Sequence, residues 1–349
     1  MRKYLLATAG IAGLTMAFCS GAQAAKYIPV PLVSGAATQT AFAINNSNIV
    51  GGAFKDSSGV EHGFFGPLDG SNYTTFDAQI KGATGTEPRY IGDKGTMNGF
   101  VVKSGFVIGQ EFYRHPNGNI QRFKSAPKGT HGTPMDGVVQ GISKNNTSVG
   151  DYFNSDGIRM GFVARHGDYL HDFDLNVQGY LRNSPRGITD DNNTVAGLFD
   201  DANGVEHGFI QTGQTLQVVD YPNNNPAGTV LEDINNAGVA TGQWTDSGGS
   251  PHAFLLDTST GAITDLDPGD GSTFQQVWGI NDQGLATLST SAGQSYVYCP
   301  LADSDCPKGG VRANVHVTHV PTGSFFKYDR FGRTGHGRPL HVAKLGAIQ

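Results

Sequence analysis

One isoleucine recurs along this chain at a nearly fixed interval. Ile44, Ile91, Ile142, Ile188, Ile234 and Ile280 lie 47, 51, 46, 46 and 46 residues apart. Eight residues after most of them stands a glycine: Gly52, Gly99, Gly150 and Gly242, with Gly197 one place later and Leu288 as the exception. About ten residues further on come His62, Met160, His207 and His252, and two past each of these an aromatic: Phe64, Phe162, Phe209 and Phe254, with Tyr298 in the last unit. The second unit, around Tyr90 to Phe112, keeps the isoleucine and glycine and lacks the histidine. A sequence that repeats six times with this period must build the same small unit six times.

The fifth unit shows what that unit is. A strand ends at Ile234, Asn235-Asn236-Ala237-Gly238 makes a turn, and Val239 to Trp244 forms a second strand. Asp246-Ser247-Gly248-Gly249 turns into a third, His252 to Leu256, and Thr258 to Gly261 into a fourth, Ala262 to Leu266. Asn and Asp tolerate left-handed backbone and glycine supplies positive φ, so these are hairpin turns. With 50 glycines in 349 residues and only 15% charged residues, the chain excludes long helices and coiled coils. Four antiparallel strands every 40 to 50 residues predict an all-β, six-bladed β-propeller over residues 25–300. A solenoid would need shorter, more uniform coils, and a pair of sandwiches has no reason to repeat six times. Tyr27-Ile28-Pro29-Val30-Pro31-Leu32 aligns with the fourth strand of a unit, so an N-terminal strand is expected to close the last blade. Its prolines place it on the outer edge.

Arg2 and Lys3, the apolar stretch Tyr4 to Phe18 and Ala22-Gln23-Ala24 read as a signal peptide, residues 1–24, too short in its apolar core to span a bilayer. Export to the periplasm or the extracellular space is the expectation. Two cysteines then remain, Cys299 and Cys306, and an even count in an oxidising compartment predicts a disulfide. Charge is uneven. Residues 301–349 carry seven Lys and Arg against three Asp, whereas residues 25–300 carry fifteen against twenty-seven Asp and Glu. This basic C-terminal extension could fold back on the acidic ring or reach anionic polymers of the cell envelope. Val311 to Val317 reads as one more strand capping the disulfide loop. A nucleic-acid partner is disfavoured by export and by an acidic body that repels phosphates.

The units share the pattern Gly-Ile-Asn-Asp-x-Gly followed by His-Ala-Phe. It is clearest in Asp233-Ile234-Asn235-Asn236-Ala237-Gly238 with His252-Ala253-Phe254, and in Gly279-Ile280-Asn281-Asp282-Gln283-Gly284. His62-Gly63-Phe64 and His207-Gly208-Phe209 differ by glycine for alanine. Over Thr40 to about Pro300 the chain resembles the bacterial extracellular HAF-repeat family. The resemblance implies a secreted or cell-envelope, propeller-like protein and brings no catalytic residues with it.

A residue that recurs in most units serves packing more readily than catalysis, so the histidines are expected between blades with one ring nitrogen hydrogen-bonded. The oxygen-rich turn at Asp200 and Asp201 makes calcium the one cofactor to consider. Two residues before each isoleucine the units diverge: Phe42, Arg89, Gln140, Arg186, Glu232 and Trp278. At a symmetric position where the innermost strand begins, near one channel mouth, these supply aromatics for a sugar ring and arginines for an anion. Alanine at Arg89 and Arg186 is expected to remove binding and leave the melting temperature nearly unchanged. Glu87, Asp136, Glu232 and Asp233 are carboxylates near inner strands, but no nucleophile elbow, Walker loop, HExxH or dinucleotide fingerprint occurs. The sequence thus favours a binding or interaction module for an extracellular glycan or protein. A glycan-acting propeller enzyme and a purely structural envelope protein are the alternatives.

Overall fold

The computed structural model describes residues 24–104, 109–123, 137–154, 156–222, 228–266, 274–290, 293–300 and 305–307, with the backbone of 311–314, 317–319 and 326–328. The signal-peptide reading falls outside the described residues except for Ala24. Among the described residues every element is a strand or a turn, and no helix is long and apolar enough to cross a membrane.

The N-terminal strand is β1 (Ala24–Pro29). The first repeat supplies β2 (Thr38–Ile44), β3 (Ile49–Lys55), β4 (Glu61–Pro67) and β5 (Thr74–Phe76). The second supplies β6 (Ala83–Ile91), β7 (Met97–Lys103), β8 (Gln110–Arg114) and β9 (Ile120–Arg122). The third holds β10 (Gly137–Ile142), β11 (Thr147–Phe153), β12 (Arg159–Arg165) and β13 (Asp168–Asp172). The fourth holds β14 (Arg182–Ile188), β15 (Thr194–Asp200), β16 (Glu206–Thr212) and β17 (Thr215–Val219). Then come β18 (Thr229–Ile234), β19 (Val239–Thr245), β20 (Pro251–Asp257) and β21 (Ala262–Asp265), and in the sixth repeat β22 (Phe274–Ile280), β23 (Ala286–Thr290) and β24 (Ser295–Cys299). The C-terminal extension adds β25 (Val311–Asn314), β26 (Val317–His319) and β27 (Phe326–Tyr328).

Each repeat is an antiparallel meander, and together they make an all-β propeller. The sheets do not number six, however. The third to sixth repeats each form a sheet of their own, whereas the first two are joined into one eight-stranded sheet by a single parallel bridge, Glu61 opposite Gly85. β1 pairs antiparallel with β24, Lys26 opposite Cys299, so N-terminal residues complete the last repeat. It is not the outermost strand as expected, because β25 pairs with its other edge over Ala24 to Tyr27. Pro29 lies beyond that pairing, where a missing N–H costs nothing to β25. Cys299 and Cys306 are disulfide-bonded. Val311 to Val317 does not form the one strand expected over the disulfide loop: β25 pairs with β1, Val317 opens β26, which pairs with β21, and β27 pairs with β17.

The turn after each inner strand puts a left-handed residue at the same place, and only in the fourth repeat is it one residue longer, closing from Thr189 to Thr194. Four residues past the isoleucine, Asn48, Gly95, Asn146, Asn192, Gly238 and Gly284 all have φ between 58 and 82°, the left-handed region that Gly and Asn tolerate. The recurrent aromatics Phe64, Phe112, Phe162, Phe209 and Phe254 are fully buried, each opposite the recurrent glycine of the second strand, as in Gly197 opposite Phe209. Burying one such ring contributes about 2–3 kcal/mol.

Candidate functional site

All six inner strands carry a β-bulge at the same place. Pairing to the second strand skips Phe42, Arg89, Gln140, Arg186 and Glu232, and in the sixth repeat breaks between Val277 and Ile280, across Trp278. The divergent position is therefore the bulged residue two places from the strand's end, not the start of the strand. An extra residue in one strand is left unpaired and re-aims its side chain. The bulge also explains the glycine. It turns the carbonyl two residues earlier into the second strand, so a Cβ at Gly52, Gly99, Gly150 or Gly197 would lie 2.0–2.2 Å from that oxygen. The sixth repeat has Leu288 at this point and a wider irregularity in its inner strand.

The bulged side chains meet across repeats. Phe42 and Trp278 make an edge-on contact with ring centroids 5.0 Å apart, and the Arg89 guanidinium lies 4.4 Å from the Phe42 centroid and 5.0 Å from that of Trp278. Arg89 also pairs with Glu87 at 2.8 Å. Further round, Arg186 pairs with Glu232, which accepts a second bond from Gln243 Nε2 at 3.1 Å. Burial opposes the charge on Arg186, but Glu232 together with Asp151 and Glu206 outweighs it and raises its pKa. Gln140 is half-buried and its side chain has no hydrogen-bond partner among the described residues. Both arginines are thus engaged and largely enclosed, 18% and 13% exposed. The expectation that alanine there would leave stability untouched does not survive this geometry, since removing one partner strands a buried charge.

Next along each inner strand the channel narrows. Gly141, Gly187 and Gly279 let neighbouring inner strands approach, and a Cβ on Gly187 would lie 2.7 Å from Asp233. Asp233 accepts the N–H groups of Ile234 and Ile280 at 2.8 and 3.0 Å, which joins the fifth repeat to the sixth. Burial pushes its carboxyl up to about 7 despite those bonds. Tyr90 lies among the six repeated residues at this level, its hydroxyl raised by burial and by Asp233.

Two residues beyond the isoleucines a second ring surrounds a space of about 40 Å³. Here the backbone N–H of one repeat donates to the side chain of the next: Lys144 to Asp190, Asp190 to Asn236, Asn236 to Asp282, Asp282 to Asn46 and Asn46 to Asp93. The belt stops between Asp93 and Lys144 because an ammonium group has no acceptor to offer. One residue earlier, Asn45, Asn235 and Asn281 each cap their own turn through Oδ1 and donate Nδ2 to a carbonyl of the next repeat. Sequence reasoning passed over this belt, although its members keep the isoleucine's spacing. Beside it, a groove of about 660 Å³ opens between the fourth and fifth repeats, lined by Thr189, Thr212, Gln217, Asn236 and Thr258.

The histidines are hydrogen-bonded as expected but not between blades: the partners of His62, His207 and His252 belong to their own repeats. His62 bonds Asp77 through Nδ1 at 2.8 Å and faces Asp56 with Nε2, and His207 does the same with Asp220 and Asp201. Burial opposes charge on His207, and Asp220 outweighs it, so its pKa is raised. The calcium candidates are otherwise employed. Asp200 pairs with Arg182 at 2.6 Å, while Asp201 caps its turn through the N–H groups of Asn203 and Val205. Among the described residues no group of three or more His, Cys, Asp or Glu could hold a metal ion. Of the carboxylates near inner strands, Glu87 and Glu232 are bound by arginines and Asp136 lies outside the described residues.

No protein-family model matches the chain, and neither does any curated protein. Among solved structures, it is similar to the fucose-specific lectin of Aleuria aurantia, with a TM-score of 0.47 and 11% identity over 84% of this chain and all of that one. It is also similar to a streptogramin B lyase, with a TM-score of 0.44 and 12% identity over 80% of this chain and 99% of that one. TolB from Acinetobacter baumannii gives a TM-score of 0.41 and 10% identity over 85% of this chain and 67% of that one.

Proposed function

We propose that the chain is a secreted or cell-envelope binding module of the HAF-repeat kind, with the bulge ring as its ligand site. The joined sheet of the first two repeats counts as two blades, which makes the ring six-bladed. The observation that carries this is the same bulge in every inner strand, holding chemically different side chains that meet across repeats. Trp278 supplies a half-buried aromatic and Gln140 an amide without an internal partner among the described residues, while Phe42 lies under Arg89 and Glu232 is tied to Arg186 and Gln243. That set suits a ligand with a flat face and a polar periphery, a saccharide foremost. Binding fits better than hydrolysis. A glycosidase needs a protonated acid beside a charged carboxylate, and Asp233, the raised carboxyl here, has both oxygens committed to backbone N–H groups.

The test is a panel of neutral and acidic mono- and disaccharides titrated against the wild type, Gln140→Ala and Trp278→Ala. Gln140→Ala should weaken binding by up to about tenfold, the upper end for one hydrogen bond from a neutral amide, with an unchanged melting temperature. A saccharide that binds both variants like the wild type would remove the site from the bulge ring.

A further inference from the structure

The C-terminal strands are selective about which edges they cover. β25, β26 and β27 lie on β1, β21 and β17, the outer strands of the sixth, fifth and fourth repeats. Those strands have four to six residues and pair with their inner neighbours without a register shift. The outer strands with no such cover among the described residues differ. β5 and β9 have three residues each, and β13 pairs with β12 through a shift that leaves Leu170 as the extra residue, 52% exposed. Regular edges present a row of N–H and C=O groups that templates a further strand, while short and bulged edges do not. The cover therefore falls on the three edges able to template one. It is also electrostatically matched, a basic extension on an acidic body.

We propose that the C-terminal extension is an edge guard, and that on its displacement each of β1, β17 and β21 can pair with the same edge of another copy of this chain. Self-pairing of one antiparallel edge is isologous and gives a dimer, and with three edges freed on different repeats the remaining edges recruit further copies. β25 has an added role, because it hydrogen-bonds the free edge of the strand that closes the ring.

The test places proline in the middle of each guard strand, Ala313→Pro, Thr318→Pro and Lys327→Pro together, in the full chain. Proline removes a donor and distorts the strand. Sedimentation should show a monomeric wild type and a variant that associates into dimers and larger species at concentrations up to roughly 100 μM, with unchanged far-UV circular dichroism. Amides of β1, β17 and β21 should exchange about tenfold faster in the dilute variant, with β9 and β13 unaffected. A synthetic peptide of residues 311–328 should return the variant to monomer. If the triple variant fails to fold, Lys327→Pro alone should deprotect β17 and leave β1 unchanged. A monomeric variant with unaltered exchange at those three strands would overturn the proposal.

Discussion

Two rings lie four residues apart on the same inner strands, and they have opposite characters. The ring at the bulge holds Phe42, Arg89, Gln140, Arg186, Glu232 and Trp278; the belt beyond the isoleucines holds Asn46, Asp93, Lys144, Asp190, Asn236 and Asp282. In the belt each member must accept a backbone N–H from its neighbour, so the position is confined to short acceptors, and the single Lys is where the belt breaks. At the bulge the backbone asks nothing of the side chain, since the residue is unpaired. One position is held uniform by closure, and the other is at liberty to diverge. The bulge ring is itself divided: Arg186 and Glu232 are locked together, whereas Gln140 has no such tie.

Arg186→Met should cut deepest into this contrast, costing about 3–5 kcal/mol by stranding Glu232. The double variant with Glu232→Leu should regain most of that loss in a denaturant melt. If the single variant is as stable as wild type, the pair is not a locked part of the ring. Next in size is the pH response of Asp233. Its carboxyl is raised to about 7 in the folded chain, above the 3.8 of an ordinary Asp, so the folded state holds the proton more tightly. Stability from this group is present at pH 4 and lost as pH rises through about 7, by roughly 2–4 kcal/mol. Asp233→Asn should flatten that window, and an equal slope in both proteins would exclude the carboxyl as its source. Gly197→Ala should cost about 2–3 kcal/mol, because its Cβ would lie 2.2 Å from the Ser184 carbonyl that the bulge turns inward. A neutral result in thermal melts would break the link between bulge and glycine. The smallest effect belongs to the belt: Asn236→Ala should cost about 1 kcal/mol and leave saccharide affinity unchanged.

Much of this was legible from spacing. The isoleucine interval marks the ends of six inner strands, the glycine its close approach beneath Phe209 and its equivalents, and Tyr27-Ile28-Pro29 the strand that joins β24. The bulge was not legible, because an unpaired residue can be of any type and leaves no pattern beyond its own variability. Nor was the joining of the first two repeats, which rests on one backbone bridge between Glu61 and Gly85. The pairing of Arg186 with Glu232 was equally hidden: the residues lie 46 apart and meet only when the ring closes. The guard strands are three or four residues long, too short for alternation to reveal which edge they join.

Trp244 and Trp278 are the only tryptophans, and they report different places. Trp244 stacks between Tyr221 and His252, away from the bulge ring that holds Trp278. With Trp244→Phe in place, emission comes from the bulge ring alone, and a titration with the saccharide panel reads that site directly. A bound saccharide should change Trp278 emission with the affinity measured by calorimetry, and Gln140→Ala should shift both curves together. A saccharide that binds by calorimetry and leaves Trp278 emission unchanged would place the ligand elsewhere on the propeller.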